Sequence, residues 1–248
     1  MTEAQLDIRP VQDDDGLRVW SHEGQGDDLV VAFSGIGPSP KQLPGLEFAS
    51  TAAGAGQNHA LFIADPQRSW LNAPGLLERI VETVRAEIDA RAPRRVMTLG
   101  HSMGGFMAMV LPGFVKVDAA LALSPQISVD PTIVPDEMRW AKYRNGISEY
   151  RVKTALEHIN PETSYVTVFG LLGPDVVQRA ILNAPRNILT ILMPRTHHNT
   201  AAKLRNQGSL ADLTNLVLAG KIRRAKQLLA ERHDATSFRG ASTDLAHS

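Results

Sequence analysis

The sequence predicts an α/β protein with a mostly parallel central sheet and helices on both faces of it. Short, unbroken apolar runs recur along the chain, as is typical of strands that are covered on both faces. Stretches with helical periodicity lie between several of these runs. Strands that alternate with helices indicate βαβ units with right-handed crossovers.

The predicted strands are short, and each one ends at Gly, Pro, Ser or Asp. They are Leu29–Phe33, Ala60–Ala64, Val96–Leu99, Ala119–Leu123, Tyr165–Phe169 and Ile188–Met193. An N-terminal hairpin is also expected, because two short β-type runs flank the turn signal Asp15-Gly16. The clearest predicted helix spans 76–88, and shorter helical stretches occupy 106–111, 176–182 and 201–218.

With 248 residues, 43% of them hydrophobic, the chain can bury one sizeable core. We therefore expect a single domain over residues 1–236. Residues 126–164 contain no clear strand and predict a small lid insertion. The polar end of the chain, residues 237–248, predicts a flexible tail.

The composition narrows the possible partners and cofactors. Lys and Arg together number 26, as do Asp and Glu, so there is no basic excess that would favour a nucleic-acid partner. The chain has no Cys, which excludes disulfides and Cys-based zinc sites. No apolar stretch approaches the about 18 to 20 residues of a membrane span, and the polar start does not read as a signal peptide. We expect a cytoplasmic protein with a small-molecule substrate and without a metal or cofactor; the sequence leaves its oligomeric state open.

The strongest chemical signal is Gly100-His101-Ser102-Met103-Gly104-Gly105, which matches G-x-S-x-G. A predicted strand precedes this motif and a helical stretch follows it. So tight a strand-to-helix turn exposes the Ser hydroxyl above the end of the sheet and requires small residues around it. A Gly-rich phosphate loop is the alternative, but neither G-x-G-x-x-G nor a Walker pattern is present.

On this motif and on the order of its elements, the chain over about residues 29–218 resembles the α/β-hydrolase superfamily. The resemblance implies that Ser102 is a nucleophile, followed along the chain by an acid and then a His. The acid is expected after the second strand beyond the motif, where Asp175 is the carboxylate of the loop. An alternative role for Asp175 is the N-cap of the helix that starts at Val176, and the two roles are compatible.

The general base is expected after the last parallel strand, where both His197 and His198 stand. His198 is preferred because it adjoins Asn199, a plausible N-cap that would fix its position. The resemblance further implies an oxyanion hole formed by the backbone N–H groups of Ile36 and Met103. Ser34 stands where the superfamily's His-Gly-x-Gly loop has its first residue.

These residues predict a hydrolase that acts on a carboxylic ester or thioester through an acyl-enzyme. An acyltransferase would use the same residues, and a non-catalytic binding protein would share only the fold. Polar residues in two further segments, 65–72 and 139–144, are candidates for substrate contacts. Each segment also has a purely structural interpretation, as a capped loop and as an amphipathic helix respectively.

Overall fold

A nine-stranded sheet organises the part of the chain that the computed structural model describes, residues 6–182 and 185–239. Its spatial order is β1-β2-β4-β3-β5-β6-β7-β8-β9. The strands are β1 (Ile8–Asp13), β2 (Arg18–His22), β3 (Asp28–Phe33), β4 (His59–Ala64), β5 (Arg95–His101), β6 (Ala119–Leu123), β7 (Ser164–Gly170), β8 (Ile188–Met193) and β9 (Thr236–Arg239).

The strands from β3 to β8 run parallel, while the strands at both edges run antiparallel. The mostly parallel sheet and the N-terminal hairpin are therefore as predicted. Parallel strands end at the same edge of a sheet, so the loops after β3 to β8 meet along one side. This edge is where open α/β sheets place their sites.

Helices cover both faces of the sheet. They are α1 (Ala49–Ala53), α2 (Leu76–Arg91), α3 (Met103–Val110), α4 (Ala141–Arg144), α5 (Asp175–Ala180), α6 (Thr200–Asn206), α7 (Leu210–Leu218) and α8 (Ile222–His233). The helical stretch predicted at 201–218 is two helices, because Gly208 adopts a φ of 69° between them. None of the helices in the described ranges is long and apolar enough to cross a membrane.

Alternate residues of the central strands pack into two hydrophobic cores, one on each face of the sheet. In β3, Leu29 and Phe33 pack on the face that carries α2 and α3, whereas Val30 packs on the face that carries α7 and α8. Two-sided burial explains why this strand has no polar alternation, as is expected for a parallel sheet with both faces covered.

The segment between β6 and β7, called the insertion below, contains most of the stretch that the sequence predicts as a lid. It contains α4 and a short 3-10 helix, Ala155–His158, and a β-bridge between Ser128 and Thr154 closes its base. The tail prediction is wrong at its start: Ser237–Arg239 belong to β9, because their backbone pairs with the open edge of β8. Residues 240–248 lie outside the described residues.

Close packing of α3 against the sheet leaves no space for a side chain at Gly104. A Cβ there would lie 2.3 Å from the Phe33 carbonyl oxygen, which is backbone and cannot swing away. We expect Gly104→Ala to lower the free energy of unfolding by about 1 to 3 kcal/mol, as overpacked cores do. Urea unfolding measures the loss. A Cβ at Gly45 would meet nothing within 4 Å, so Gly45→Ala is the matched control. Equal stability of the two variants would contradict the prediction.

Candidate active site

Ser102 occupies the bend between β5 and α3 and has a strained backbone. Its φ of 58° and ψ of −120° lie outside the regions that a non-glycine residue usually adopts. The bend brings strand and helix so close that a Cβ at Gly100 would lie 2.1 Å from the Gly104 carbonyl oxygen. The two glycines of the motif are thus required by backbone contact, as the sequence predicts, and the Ser102 side chain is directed towards the loops at the sheet edge.

His198 reaches the Ser102 hydroxyl from the loop after β8. Its Nε2 lies 3.0 Å from Ser102 Oγ, and its Nδ1 lies 2.7 Å from Asp175 Oδ1. Asp175 follows β7, so three neighbouring loops at the same sheet edge deliver the three side chains. The structure brings together the three residues that the sequence proposes, in a hydrogen-bonded series. Imidazole between a hydroxyl and a buried carboxylate is the arrangement that general-base catalysis needs.

Asp175 is buried, with 1% of its side chain exposed. Burial opposes its ionisation, but the hydrogen bond and charge of His198, together with the charge of Arg139, outweigh burial and hold the pKa of Asp175 below its ordinary value. Asp175 is the first residue of α5, and Pro174 occupies the N-cap position. The N-cap interpretation of Asp175 is therefore wrong, because its carboxylate is turned to His198.

The insertion contributes an ion pair to this carboxylate. Arg139 Nη1 lies 3.1 Å from Asp175 Oδ1, and the same guanidinium pairs with the Glu137 carboxylate at 2.5 Å and 2.8 Å. Arg139 therefore stands between two acids. It adds positive charge beside Asp175, and Glu137 offsets part of that charge. Arg139, one of the candidates for substrate contact in segment 139–144, is thus engaged with two carboxylates of the protein.

The neighbouring histidines have different positions. His197 is exposed, and its ring lies against Gly173 on the outer side of the loop. His101 packs on His198 with ring centroids 4.9 Å apart, and its Nε2 lies 2.8 Å from the His198 carbonyl oxygen. Desolvation, followed by the nearby His198, lowers the pKa of His101 to about 4. His101 is thus neutral at pH 7 and donates to the backbone of His198.

The two predicted oxyanion donors are Met103, directly after Ser102, and Ile36, in the loop after β3, the strand beside β5. Met103 begins α3, so its N–H belongs to the first turn, where a helix supplies no acceptor. Ile36 follows β3, and its carbonyl oxygen accepts a bond of 2.8 Å from Arg68 Nε. Arg68 Nη2 also binds the Gln42 carbonyl at 2.6 Å, so this one guanidinium holds the loop. The Ser34 hydroxyl donates to the carbonyl of Gly45, another anchor of the same loop.

The sequence reasoning missed Gln126, which touches the Ser102 hydroxyl. Its Nε2 lies 3.0 Å from Ser102 Oγ, and its side chain is buried completely. The signal was available: Gln126 stands three positions beyond the end of β6, the strand beside β5, at the edge where the other site residues gather.

The loop after β4, residues 65–72, links further parts of the site. Trp70 Nε1 donates to Gln126 Oε1 at 3.2 Å. Asn72 exchanges two hydrogen bonds with the backbone of Val152 in the insertion. The polar side chains of this loop therefore bind protein atoms, which favours the structural interpretation of the segment over a direct contact with substrate.

Among the described residues, no group of three or more His, Asp or Glu side chains is arranged to hold a metal ion.

We compared the chain with known protein families, curated proteins and solved structures. No protein-family model matches the chain, and no curated protein matches it in sequence. Among solved structures, the chain is similar to the capsule O-acetyltransferase of Neisseria meningitidis serogroup A, with 14% identity, a TM-score of 0.60, and coverage of 78% of this chain and 90% of that chain. It is similar to Est1E from Butyrivibrio proteoclasticus, with 15% identity, a TM-score of 0.55, and coverage of 91% and 98%. An esterase from Pyrococcus furiosus gives 14% identity, a TM-score of 0.54, and coverage of 92% and 91%.

The chain has the α/β-hydrolase fold. The order and direction of its strands and its likeness to these esterases agree, so the predicted fold class is confirmed. At these identities the likeness shows the fold alone, and the activity has to be argued from the site itself.

The depressed pKa of His101 predicts a pH-dependent stability. The ordinary His pKa is 6.5, and the folded value is about 4. Below pH 6.5 the unfolded chain therefore binds more protons than the folded one at this site, and stability falls as the pH drops towards 4. Above pH 6.5 His101 is neutral in both the folded and the unfolded chain, and its contribution to the free energy of unfolding is fully present.

Between pH 6.5 and pH 4, we expect the free energy of unfolding of the wild type to fall by up to about 3 kcal/mol more than that of His101→Gln. Urea unfolding at a series of pH values measures the difference. The other histidines are present in both proteins, so the comparison isolates the contribution of the His101 site. Parallel curves for the two proteins would show that His101 does not carry the effect.

Proposed function

We propose that the protein is a serine hydrolase that cleaves a carboxylic ester or thioester of a small molecule through an acyl-enzyme on Ser102. The observation that carries the proposal is the hydrogen-bonded series from Ser102 Oγ through His198 to Asp175, at 3.0 Å and 2.7 Å. The strained bend that presents the hydroxyl supports the same assignment. It is the conformation expected of a nucleophile elbow.

In the proposed reaction, His198 Nε2 takes the Ser102 proton while Oγ attacks the carbonyl carbon of the substrate. Asp175 orients the imidazole and stabilises the imidazolium that forms. The N–H groups of Ile36 and Met103 bind the oxyanion of the tetrahedral intermediate. His198 then gives its proton to the departing alcohol or thiol. Water, activated by the same imidazole, releases the acid from Ser102 in the second half of the reaction.

An acyltransferase is the second candidate, because the capsule O-acetyltransferase shares the fold and has been solved in complex with CoA. Such an enzyme would pass the acyl group from Ser102 to an alcohol rather than to water. Product analysis separates the two activities, since hydrolysis yields the free acid whereas transfer to an added alcohol yields a new ester. A protein that binds without catalysis would give neither product.

Ser102→Ala tests the nucleophile directly. A fluorophosphonate probe is expected to label the wild type at one site, identified by peptide mass spectrometry, and to leave Ser102→Ala unlabelled. Ser209→Ala, which removes a buried hydroxyl that contacts His233, is the matched control and should still be labelled. Labelling of Ser102→Ala, or a wild type that never reacts, would contradict the assignment.

The two adjacent histidines allow a sharp test of the base. His198→Ala removes the ring beside Ser102 Oγ, so we expect labelling and turnover of a p-nitrophenyl ester to fall by about 10³-fold or more. His197→Ala removes an exposed ring one position away and should leave both rates close to wild type. If the effects of the two substitutions were reversed, the base would be His197.

A further inference from the structure

The Gln126 side chain is held between two groups of known hydrogen-bonding character. Its amide is completely buried. Trp70 Nε1 lies 3.2 Å from Gln126 Oε1, while Ser102 Oγ lies 3.0 Å from Nε2 and 3.4 Å from Oε1. A buried amide with both of its ends in contact cannot rotate freely, so its orientation is a defined property of the site.

The indole sets that orientation. A Trp N–H is only a donor, so the Gln126 oxygen must face it, and the amide nitrogen then faces Ser102 Oγ. At the other end of the site, the ionised Asp175 is only an acceptor, so His198 must direct its Nδ1–H there and leave Nε2 to accept. Both ends therefore fix the Ser102 hydroxyl in the same way: it accepts from Gln126 and donates its proton to His198.

We propose that Gln126 is a catalytic residue of the Ser102 site, with Trp70 as its positioning residue. This inference rests on the proposed function. As the Ser102 proton moves to His198, negative charge develops on Oγ, and the Gln126 N–H stabilises it until the bond from Oγ to the carbonyl carbon passes the charge to the carbonyl oxygen. Water later adds to the acyl carbon and gives its proton to His198. When the resulting tetrahedral intermediate collapses, the bond from carbon to Oγ breaks, Oγ takes that proton from His198, and the same N–H stabilises the departing oxygen. A donor aimed at developing charge stabilises the transition state more than the ground state.

The backbone around Trp70 is built to hold the indole in place. Arg68, Trp70 and Leu71 have φ values of 54°, 50° and 66°, a left-handed conformation that is costly for side chains of this size. The Asp65 carboxylate binds the N–H groups of Gln67 at 2.9 Å and Ser69 at 2.6 Å, and this anchors the loop. Strain that is stabilised by a buried acid is typical of segments that position functional groups.

The test compares second-order rate constants for fluorophosphonate labelling. In that reaction Oγ bonds to phosphorus, fluoride leaves, and His198 takes the proton, so only the Ser102 nucleophile and its partners are probed. Gln126→Met keeps the side chain's length and removes its donor, and we expect labelling about 10- to 100-fold slower, as for a lost bond to a charged group. Trp70→Phe keeps an aromatic ring and removes the N–H that orients the amide. We expect labelling about 3- to 10-fold slower.

The double variant distinguishes positioning from general damage to the structure. If Trp70 acts through Gln126, then Gln126→Met with Trp70→Phe labels no more slowly than Gln126→Met alone, because the N–H of Trp70 no longer has an amide to orient. Multiplied effects would overturn the role of Trp70. Gln126→Met at the wild-type rate would overturn the role of Gln126 while leaving Ser102 as the nucleophile.

Two controls keep the outcomes separate. Gln227 lies on the exposed side of α8, where its amide donates to Glu231, and Gln227→Met should label at the wild-type rate. Gln126→Glu keeps the acceptor for Trp70 and places a carboxylate against Oγ, so we expect it to be slow at neutral pH even if Gln126→Met folds poorly; labelling at the wild-type rate would overturn the proposal. Thermal unfolding checks each variant. A wild type that never labels would instead remove the proposed function itself.

Discussion

The site depends on a contact between backbones. α3 approaches β3 and β5 so closely that neither Gly100 nor Gly104 has space for a Cβ. This approach forces Ser102 into its unusual φ and ψ and raises the hydroxyl to the sheet edge. The parallel strands end at that edge, so the loops that carry Asp175 and His198 arrive there without further distortion. Removing the contact would remove the reason for the bend, and with it the alignment of the three side chains.

Charge around the bend is balanced over several residues. The ionised Asp175 contacts both His198 and Arg139, and Glu137 forms a second ion pair with the guanidinium of Arg139. His101 remains neutral next to His198, since desolvation keeps its pKa low. A second cation in direct ring contact would disfavour the imidazolium that the proposed mechanism needs. The neutral ring instead holds the backbone of His198 through a hydrogen bond.

Sequence reasoning could predict the strands and the site residues that follow them, because these depend on local patterns. The Ser102 motif carries its own glycines. The chain order that the resemblance implies leads to Asp175 and to the adjacent His197 and His198, and Asn199 favours His198. Sequence reasoning could not predict the hydrogen bond from Trp70 to Gln126 or the ion pair of Arg139 with Asp175, because these contacts join distant segments: Trp70 stands 56 positions before Gln126, and Asp175 stands 36 positions after Arg139. Within the stretch predicted as one helix at 201–218, Gly208 is the local signal for a helix end, because glycine readily adopts the left-handed conformation found there.

The ion pair from the insertion to Asp175 has a consequence for protein engineering. Insertions at this point of a fold are attractive places to graft new specificity, since loops tolerate changes of length and sequence. Here the graft would also remove Arg139 and Glu137, and the acid would lose its neighbouring cation. A transplanted segment that did not reproduce this ion pair would change the electrostatics around Asp175 as well as the segment's own shape. Redesign of selectivity and tuning of acidity are therefore coupled in this scaffold.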